Sequence, residues 1–150
     1  MMWHKRFIEM AELVSTWSKD PSTQVGCVLI DPETRSIIAT GYNGPPRGVE
    51  DTPERLSERP VKYDWIEHAE RNAVFNAAER GIATRGAWAY MNYAPCPCSD
   101  CTRALIQAGV VKIIGPDRTF DGKGRDKHYN LTVSDQMLIE AGVETITVEC

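Results

Sequence analysis

The stretch YAPCPCSDC, residues 93–101, places three cysteines within six positions, between a strand pattern and a helix pattern. The apolar run GAWAYMN at residues 86–92 predicts a strand, and SDCTRALIQAG at 99–109 predicts an amphipathic helix. A strand followed by a helix and a further strand is typical of parallel strands joined by a crossover helix. The cysteines therefore fall where a predicted strand ends and the next helix begins.

The same alternation of elements precedes this stretch. Two β-branched runs, at residues 24–31 and 36–44, predict a hairpin. A polar, proline-rich loop from about residue 45 to 63 precedes an alanine-rich helix pattern at 65–81. A first amphipathic helix is predicted by the helical spacing of five apolar residues, Phe7, Met10, Ala11, Val14 and Trp17.

After the cysteines, strand patterns at residues 110–115 and 143–149 flank a helix pattern at 133–142. The resulting order, α-β-β-α-β-α-β-α-β, predicts an α/β fold with a single five-stranded mixed sheet flanked by helices, in three layers, α/β/α. The apolar strands predict a sheet that is buried on both faces. Because the sequence has no repeat and no interdomain linker, we expect residues 1–150 to form a single domain.

Charge and hydropathy argue against two kinds of partner. The chain has 17 Lys and Arg against 21 Asp and Glu, a formal net charge of −4, so no positive field attracts a nucleic acid or an anionic membrane. It has no run of about 18 apolar residues, and Glu9 and Glu12 interrupt the apolar core that a signal peptide needs. We therefore expect a cytoplasmic protein that binds neither nucleic acid nor a membrane.

The five cysteines are an odd number with three close together, unlike the even framework of a disulfide-rich secreted domain. In a reducing compartment, clustered cysteines indicate a metal site or catalysis. Cys27 lies in an apolar strand and is predicted to be core, whereas Cys150 is a terminal thiol without a predicted role.

Cys98 and Cys101 have the C-x-x-C spacing that lets two thiolates from one helical turn bind one zinc ion. Pro97 suits the start of a helix, so Cys98 is expected at the positive end of that helix, where a thiolate is stabilised. Cys96 and Cys98 would point apart in an extended segment. Cys96 is therefore expected to line the site or to pack behind it.

His68 is the predicted third ligand, in the triplet HAE near the start of the alanine-rich helix. Residues two apart face nearly opposite ways within a helix, so His68 and Glu70 can share a site only at its first turn. H-x-E followed by P-C-x-x-C is the pattern in which zinc activates a water molecule and the glutamate, which is not a ligand, carries the proton. Taken singly, the parts would also fit a structural zinc half-site, a redox pair or a structural histidine.

Four blocks of the sequence resemble those of deoxycytidylate (dCMP) deaminases, within the zinc-dependent cytidine deaminase superfamily. They are SKDPSTQVGCVLID from residue 18, GYNGPPRG from 41, HAERNAVFNAA from 68 and PCSDCTRALIQAGV from 97. The resemblance implies a cytidine deaminase-like fold, one Zn²⁺ on His68, Cys98 and Cys101, and Glu70 as the proton carrier. It also implies hydrolytic deamination of dCMP to dUMP and ammonia, which supplies dUMP for thymidylate synthesis.

The resemblance further implies a substrate site and an effector site. Asn43 matches a position that contacts the nucleotide sugar in relatives, and Ala69 of the HAE triplet is expected beside the substrate. Regulated relatives bind dCTP or dTTP at the GYNG block, so Gly41, Tyr42 and Gly44 are the predicted effector residues, with Mg²⁺ accompanying the triphosphate. Relatives commonly form dimers or hexamers, so a homo-oligomer is expected.

A substrate 5′-phosphate needs basic or hydroxyl partners. Lys19 and Ser22 of the first block are predicted to supply them. The loop after the fourth predicted strand adds Arg118, Lys123, Arg125 and Lys127.

Some relatives hold a second zinc on cysteine and histidine ahead of the HAE triplet. Residues 45–67 contain neither residue type, so one zinc per chain is predicted.

Other functions fit parts of the pattern. A deaminase of another cytosine nucleotide would share the zinc motif. So would a tRNA or DNA base deaminase, but it is expected to carry a basic channel, which a net charge of −4 does not favour. A riboflavin-pathway deaminase has a longer spacing between its cysteines. A zinc-stabilised binding module would give Glu70 no reason to lie beside His68.

Overall fold

Five strands form one sheet in the computed structural model, which describes residues 2–118 and 130–150. The strands are β1 (Gly26–Ile30), β2 (Ile37–Tyr42), β3 (Trp88–Met91), β4 (Lys112–Pro116) and β5 (Glu144–Val148). Within those two described ranges, the helices are α1 (Met2–Ser15), α2 (Pro53–Ser57), α3 (Val61–Trp65), α4 (Ala69–Glu79), α5 (Ser99–Gln107) and α6 (Leu131–Ala141).

The strand order in the sheet is β2-β1-β3-β4-β5. β1 pairs antiparallel with both β2 and β3, whereas β3, β4 and β5 run parallel. Parallel strands need crossover connections. In sequence, α5 lies between β3 and β4, and α6 lies between β4 and β5. The predicted α/β fold with a mixed five-stranded sheet is confirmed.

Helices cover both faces of the sheet. On one face, Phe7, Ile8 and Ala11 of α1 pack with Val28 and Tyr90. On the other face, small and aliphatic side chains of α4, α5 and α6 pack against β1, β3 and β4. The main contributors there are Ala73, Leu105, Leu138, Leu29, Met91 and Ile113. Because burying a leucine or isoleucine side chain stabilises a fold by about 1.5–3 kcal/mol, these two layers hold the α/β/α arrangement together.

Burial differs between the central and the edge strands. β1 is buried at every position, as the prediction of a sheet covered on both faces requires. β2 and β5 lie at the two edges and have exposed positions, so for them that prediction is wrong. No helix in the described part of the chain is both long and apolar enough to cross a membrane.

Several element boundaries differ from the sequence prediction. α1 ends at Ser15, whose Oγ donates to the Glu12 carbonyl at 2.6 Å, and Trp17 lies beyond the helix and is 50% exposed. The predicted proline-rich loop contains the short helices α2 and α3. α4 begins at Ala69 rather than at residue 65, because the backbone of Glu67 forms a bridge with Gly44.

Candidate active site

Two helix starts bring the predicted zinc ligands together. His68 is the N-cap residue of α4, and Cys98 is the N-cap residue of α5. Both residues have an extended backbone, so their side chains do not follow the helical arrangement of the residues after them. Cys101 lies on the first turn of α5 and is fully buried. The N-terminus of a helix carries a partial positive charge, and it therefore stabilises a thiolate at this point.

The ligand atoms have spacings that suit one zinc ion. His68 Nδ1 lies 3.3 Å from Cys98 Sγ and 3.4 Å from Cys101 Sγ. Tetrahedral zinc with ordinary Zn–N and Zn–S bonds separates nitrogen from sulfur by about 3.5 Å. Among the residues that the structure describes, His68, Cys98 and Cys101 form the group whose donor atoms all lie within 4.8 Å of one another. The residues present therefore fit the metal.

The electrostatics of the three groups favour a thiolate at Cys98. A hydrogen bond from Cys101 lowers the pKa of Cys98 to about 4, against the effect of burial, and His68 adds to the lowering. The same thiol–thiol hydrogen bond, together with burial, raises the pKa of Cys101. Burial lowers the pKa of His68, but the hydrogen bond with Cys98 and the charge of Glu70 outweigh it, so that the pKa is raised.

Glu70 lies beside the ligands on the first turn of α4 and is only 2% exposed. Its Oε2 accepts a hydrogen bond from Cys101 Sγ at 3.6 Å. Its Oε1 accepts one from the hydroxyl of Tyr93, a buried residue that the sequence prediction missed. A carboxylate in such a dry position, next to a metal site, is placed to exchange a proton with a bound water molecule.

A second contact missed from the sequence links the starts of α4 and α5. Glu67 Oε1 accepts hydrogen bonds from the backbone N–H of His68 at 3.0 Å and from Arg71 Nε at 2.6 Å. Arg71 Nη1 also lies 3.8 Å from Asp100 Oδ2 on α5. The i, i+4 spacing of Glu67 and Arg71 is the available sequence signal, but the contact of Glu67 with the His68 amide depends on where α4 begins.

The predicted substrate residue Asn43 is 5% exposed and braces the start of β1. Its Oδ1 accepts from the backbone N–H of Val25 and its Nδ2 donates to the carbonyl of Thr23, each at 2.8 Å. Each end of the amide retains capacity for one further hydrogen bond. Ala69, between His68 and Glu70, is fully buried. The predicted contacts of Asn43 and Ala69 with substrate stay predictions.

The two predicted phosphate ligands near the N-terminal block are paired with protein groups. Lys19 is exposed and forms an ion pair with Asp51. Ser22 donates to Asp20 Oδ1 from its backbone N–H at 2.9 Å and from its hydroxyl at 3.0 Å. Lys62, which the sequence prediction did not single out, lies 2.7 Å from Asp20 Oδ2 and 3.3 Å from Ser22 Oγ.

Of the four basic loop residues that are predicted to bind the substrate phosphate, the structure describes one. Arg118 is exposed and pairs with Glu12 at 3.0 Å. Lys123, Arg125 and Lys127 lie outside the described residues. Phosphate binding by any of these basic residues stays a prediction.

The three predicted effector residues occupy different surroundings. Gly41 is buried against α4, where a Cβ atom would lie 2.2 Å from the Ala69 carbonyl oxygen, so packing alone requires glycine there. Gly44 exchanges backbone hydrogen bonds with Glu67. Tyr42 is 42% exposed, with its ring edge-on to that of Trp17. Their effector role stays a prediction.

The other cysteines lie apart from the ligand group. Cys27 is fully buried in β1, as predicted. Cys96 Sγ donates to the carbonyl of Leu131 at the start of α6, at 3.7 Å, and so packs toward α6. Cys150 is exposed.

An imidazole and two thiols at paired helix starts, with a buried carboxylate beside them, define the class of zinc sites that activate water. The family model of the cytidine and deoxycytidylate deaminase zinc-binding region matches residues 1–115. The chain therefore belongs to the cytidine and deoxycytidylate deaminase family.

Individual relatives agree with this assignment. An uncharacterized deaminase from the luxG 3′ region of Aliivibrio fischeri is 42% identical over 142 residues, 95% of this chain and 90% of that protein. The deoxycytidylate deaminase of Mus musculus is 36% identical over 117 residues, 75% of this chain and 63% of the mouse protein, so less than two thirds of the mouse enzyme is spanned.

A solved structure extends the similarity to the whole fold. The dCMP deaminase of the cyanophage S-TIM5, in complex with dCMP and dUMP, superposes with a TM-score of 0.73 at 28% identity. The match covers 96% of this chain and 95% of the phage chain.

Proposed function

We propose that this protein hydrolyses dCMP to dUMP and ammonia, with Zn²⁺ bound by His68, Cys98 and Cys101. The observation that carries the proposal is the buried Glu70 carboxylate beside a His–Cys–Cys donor set. Family membership and a similar structure that holds dCMP and dUMP support the choice of substrate. The dUMP that forms would be available for thymidylate synthesis.

The chain's own residues divide the chemistry between them. Zinc, when bound, would lower the pKa of a water molecule toward neutrality. Glu70 takes a proton from the attacking water and returns it to N3 of the cytosine ring while the oxygen bonds to C4. Glu70 then carries the second proton from that oxygen to the amino group. The C4–N bond breaks, ammonia leaves, and the C4 carbonyl of dUMP forms.

A panel of substrates tests this proposal. Ammonia release from dCMP is compared with release from cytidine, dCTP and a tRNA anticodon stem, each with zinc-loaded protein. We expect the highest kcat/KM for dCMP. A higher value for another cytosine nucleotide would change the substrate, and deamination of the tRNA stem alone would replace the proposal with the base deaminase alternative.

We also propose that residues 1–150 act as one deaminase domain in a cytoplasmic homo-oligomer, a dimer or hexamer. Regulation by triphosphates would act through different affinities of the effector for active and inactive states. We expect dCTP with Mg²⁺ to lower the half-saturating dCMP concentration and dTTP to raise it, with Tyr42→Ala reducing both responses. Hyperbolic dCMP kinetics that neither triphosphate changes would contradict this part of the proposal.

A further inference from the structure

The hydroxyl of Tyr93 contacts the Glu70 carboxylate from the end of the sheet. Tyr93 follows β3 by two residues, is 4% exposed and donates to Glu70 Oε1. We propose that Tyr93 is a positioning residue that orients the Glu70 carboxylate for proton transfer. This inference rests on the proposed function, because it assigns Tyr93 to the same reaction.

The backbone of Tyr93 is held close to β4. A Cβ atom at Gly115 would lie 2.1 Å from the Tyr93 carbonyl oxygen, so this approach is open only to glycine. The next residue, Ala94, donates its N–H to the carbonyl of Arg118 at 2.7 Å. The tyrosine hydroxyl is thus presented from a segment fixed to the sheet rather than from a free loop.

The two oxygens of Glu70 have different partners. Oε1 faces Tyr93, and Oε2 faces Cys101 Sγ, one of the zinc ligands. A cysteine that binds zinc does so as the thiolate and has no proton to donate, whereas Tyr93 keeps its donor. With Oε1 held by Tyr93, Oε2 remains directed at the metal side of the site. Glutamate has three side-chain torsions, so a fixed donor restricts it to the productive orientation.

The variant Tyr93→Phe removes the hydroxyl and keeps the ring. We expect kcat to fall about tenfold to a hundredfold, the scale of a misplaced catalytic group, while KM for the substrate changes by less than about threefold. Zinc content and the Kd for the uracil nucleotide product of the reaction, measured by titration, should equal those of the wild type. A raised KM at unchanged kcat, or loss of zinc, would overturn the proposal.

Tyr90→Phe is the matched control. Tyr90 is also buried, and its hydroxyl is bonded to His4 Nδ1 at 2.8 Å, in the layer of α1. Both substitutions remove one buried tyrosine hydroxyl, so both are expected to lower Tm, but Tyr90→Phe should keep wild-type kcat. An equal loss of kcat in the two variants would show that Tyr93 acts only through stability.

A double variant tests whether Tyr93 acts through Glu70. If it does, Tyr93→Phe should reduce kcat no further when Glu70 is already Gln, because the group that it orients no longer carries a proton. Additive losses would contradict the proposal. Each comparison uses whichever cytosine nucleotide the wild type deaminates. If the wild type deaminates another cytosine nucleotide but not dCMP, the proposed substrate is wrong. If wild type and Tyr93→Phe have equal kcat on the nucleotide that the wild type deaminates, the role proposed for Tyr93 is wrong.

Discussion

At the scale of single residues, Cys96 and Cys98 are two positions apart but lie in different surroundings. Cys98 Sγ is 3.3 Å from His68 Nδ1, whereas Cys96 Sγ is directed at the carbonyl of Leu131. The sequence allowed this distinction because side chains two apart in an extended segment point apart and because C-x-x-C spans one helical turn.

Serine substitutions at these two positions test the ligand assignment. Cys98→Ser should lose zinc because a serine hydroxyl does not ionise near neutral pH and is a poor zinc ligand. Cys96→Ser is the matched control and should retain about one zinc per chain. Metal content after dialysis, measured by elemental analysis, distinguishes them. Zinc retained in Cys98→Ser and lost in Cys96→Ser would show that the other thiol is the ligand.

Tyr93 shows what single-sequence patterns do not reveal. Its position after an apolar strand predicts burial, but its hydroxyl meets Glu70 only because α4 packs against β2 and β1, and β1 is the neighbour of β3 in the sheet. Glu70 is 23 residues away in sequence, so no local spacing links the two side chains. A contact of this kind depends on tertiary packing.

At the scale of elements, the segment between α1 and β1 is tied to α3 by a buried ion pair. Lys62 Nζ lies 2.7 Å from Asp20 Oδ2, and the two side chains are 7% and 1% exposed. Asp20 Oδ1 also accepts from the backbone N–H groups of Ser22 and Thr23. Burial raises the pKa of the Asp20 carboxyl, but the hydrogen bonds from Lys62 and the two backbone N–H groups outweigh it and leave the pKa lowered.

This ion pair predicts a pH-dependent effect of Asp20→Asn. Removing one partner of a buried pair leaves the other charge unpaired, so the free energy of unfolding at pH 7 should fall by about 3–5 kcal/mol. The pKa of Asp20 is lower in the folded than in the unfolded chain. The stabilisation is therefore complete above the unfolded pKa of about 3.9 and is lost as the pH falls through the folded value.

Urea unfolding of wild type and Asp20→Asn between pH 7 and pH 2 measures this effect. The difference between the two proteins should be constant above about pH 5 and shrink in more acidic solution. Asp51→Asn is the matched control, because Asp51 pairs with the exposed Lys19 and exposed pairs contribute little. A difference for Asp20→Asn that does not change with pH would show that its effect is not electrostatic.

The element boundaries show the limits of the sequence prediction at this scale. The helical character of α4 follows from its alanine content and that of α5 from apolar periodicity, and Pro97 with the C-x-x-C spacing places Cys98 at the start of α5. The short helices α2 and α3 have five residues each, which is too short for a periodic apolar signal. The predicted start of α4 at residue 65 is too early because Glu67 pairs with Gly44 in an isolated bridge, a contact between residues far apart in sequence.

At the scale of the whole molecule, the order of elements was sufficient to predict the mixed sheet and its three layers. The parallel arrangement of β3, β4 and β5 follows from their crossover connections. The sheet also explains the site, because β3 leads into the segment that carries Tyr93 and Cys98, and α4 packs beside it with His68 and Glu70. The exposed edges were not predicted, because strand composition does not show a strand's place in the sheet.

In the proposed reaction, Glu70 carries protons during the zinc-dependent deamination of dCMP. The most direct test is the rate of ammonia release from saturating dCMP by zinc-loaded wild type and Glu70→Gln. The substitution keeps the shape of the side chain and touches no ligand, so zinc should stay bound while kcat falls at least about a hundredfold. Near-normal turnover by a Glu70→Gln protein that contains one zinc per chain would show that Glu70 is not the proton carrier.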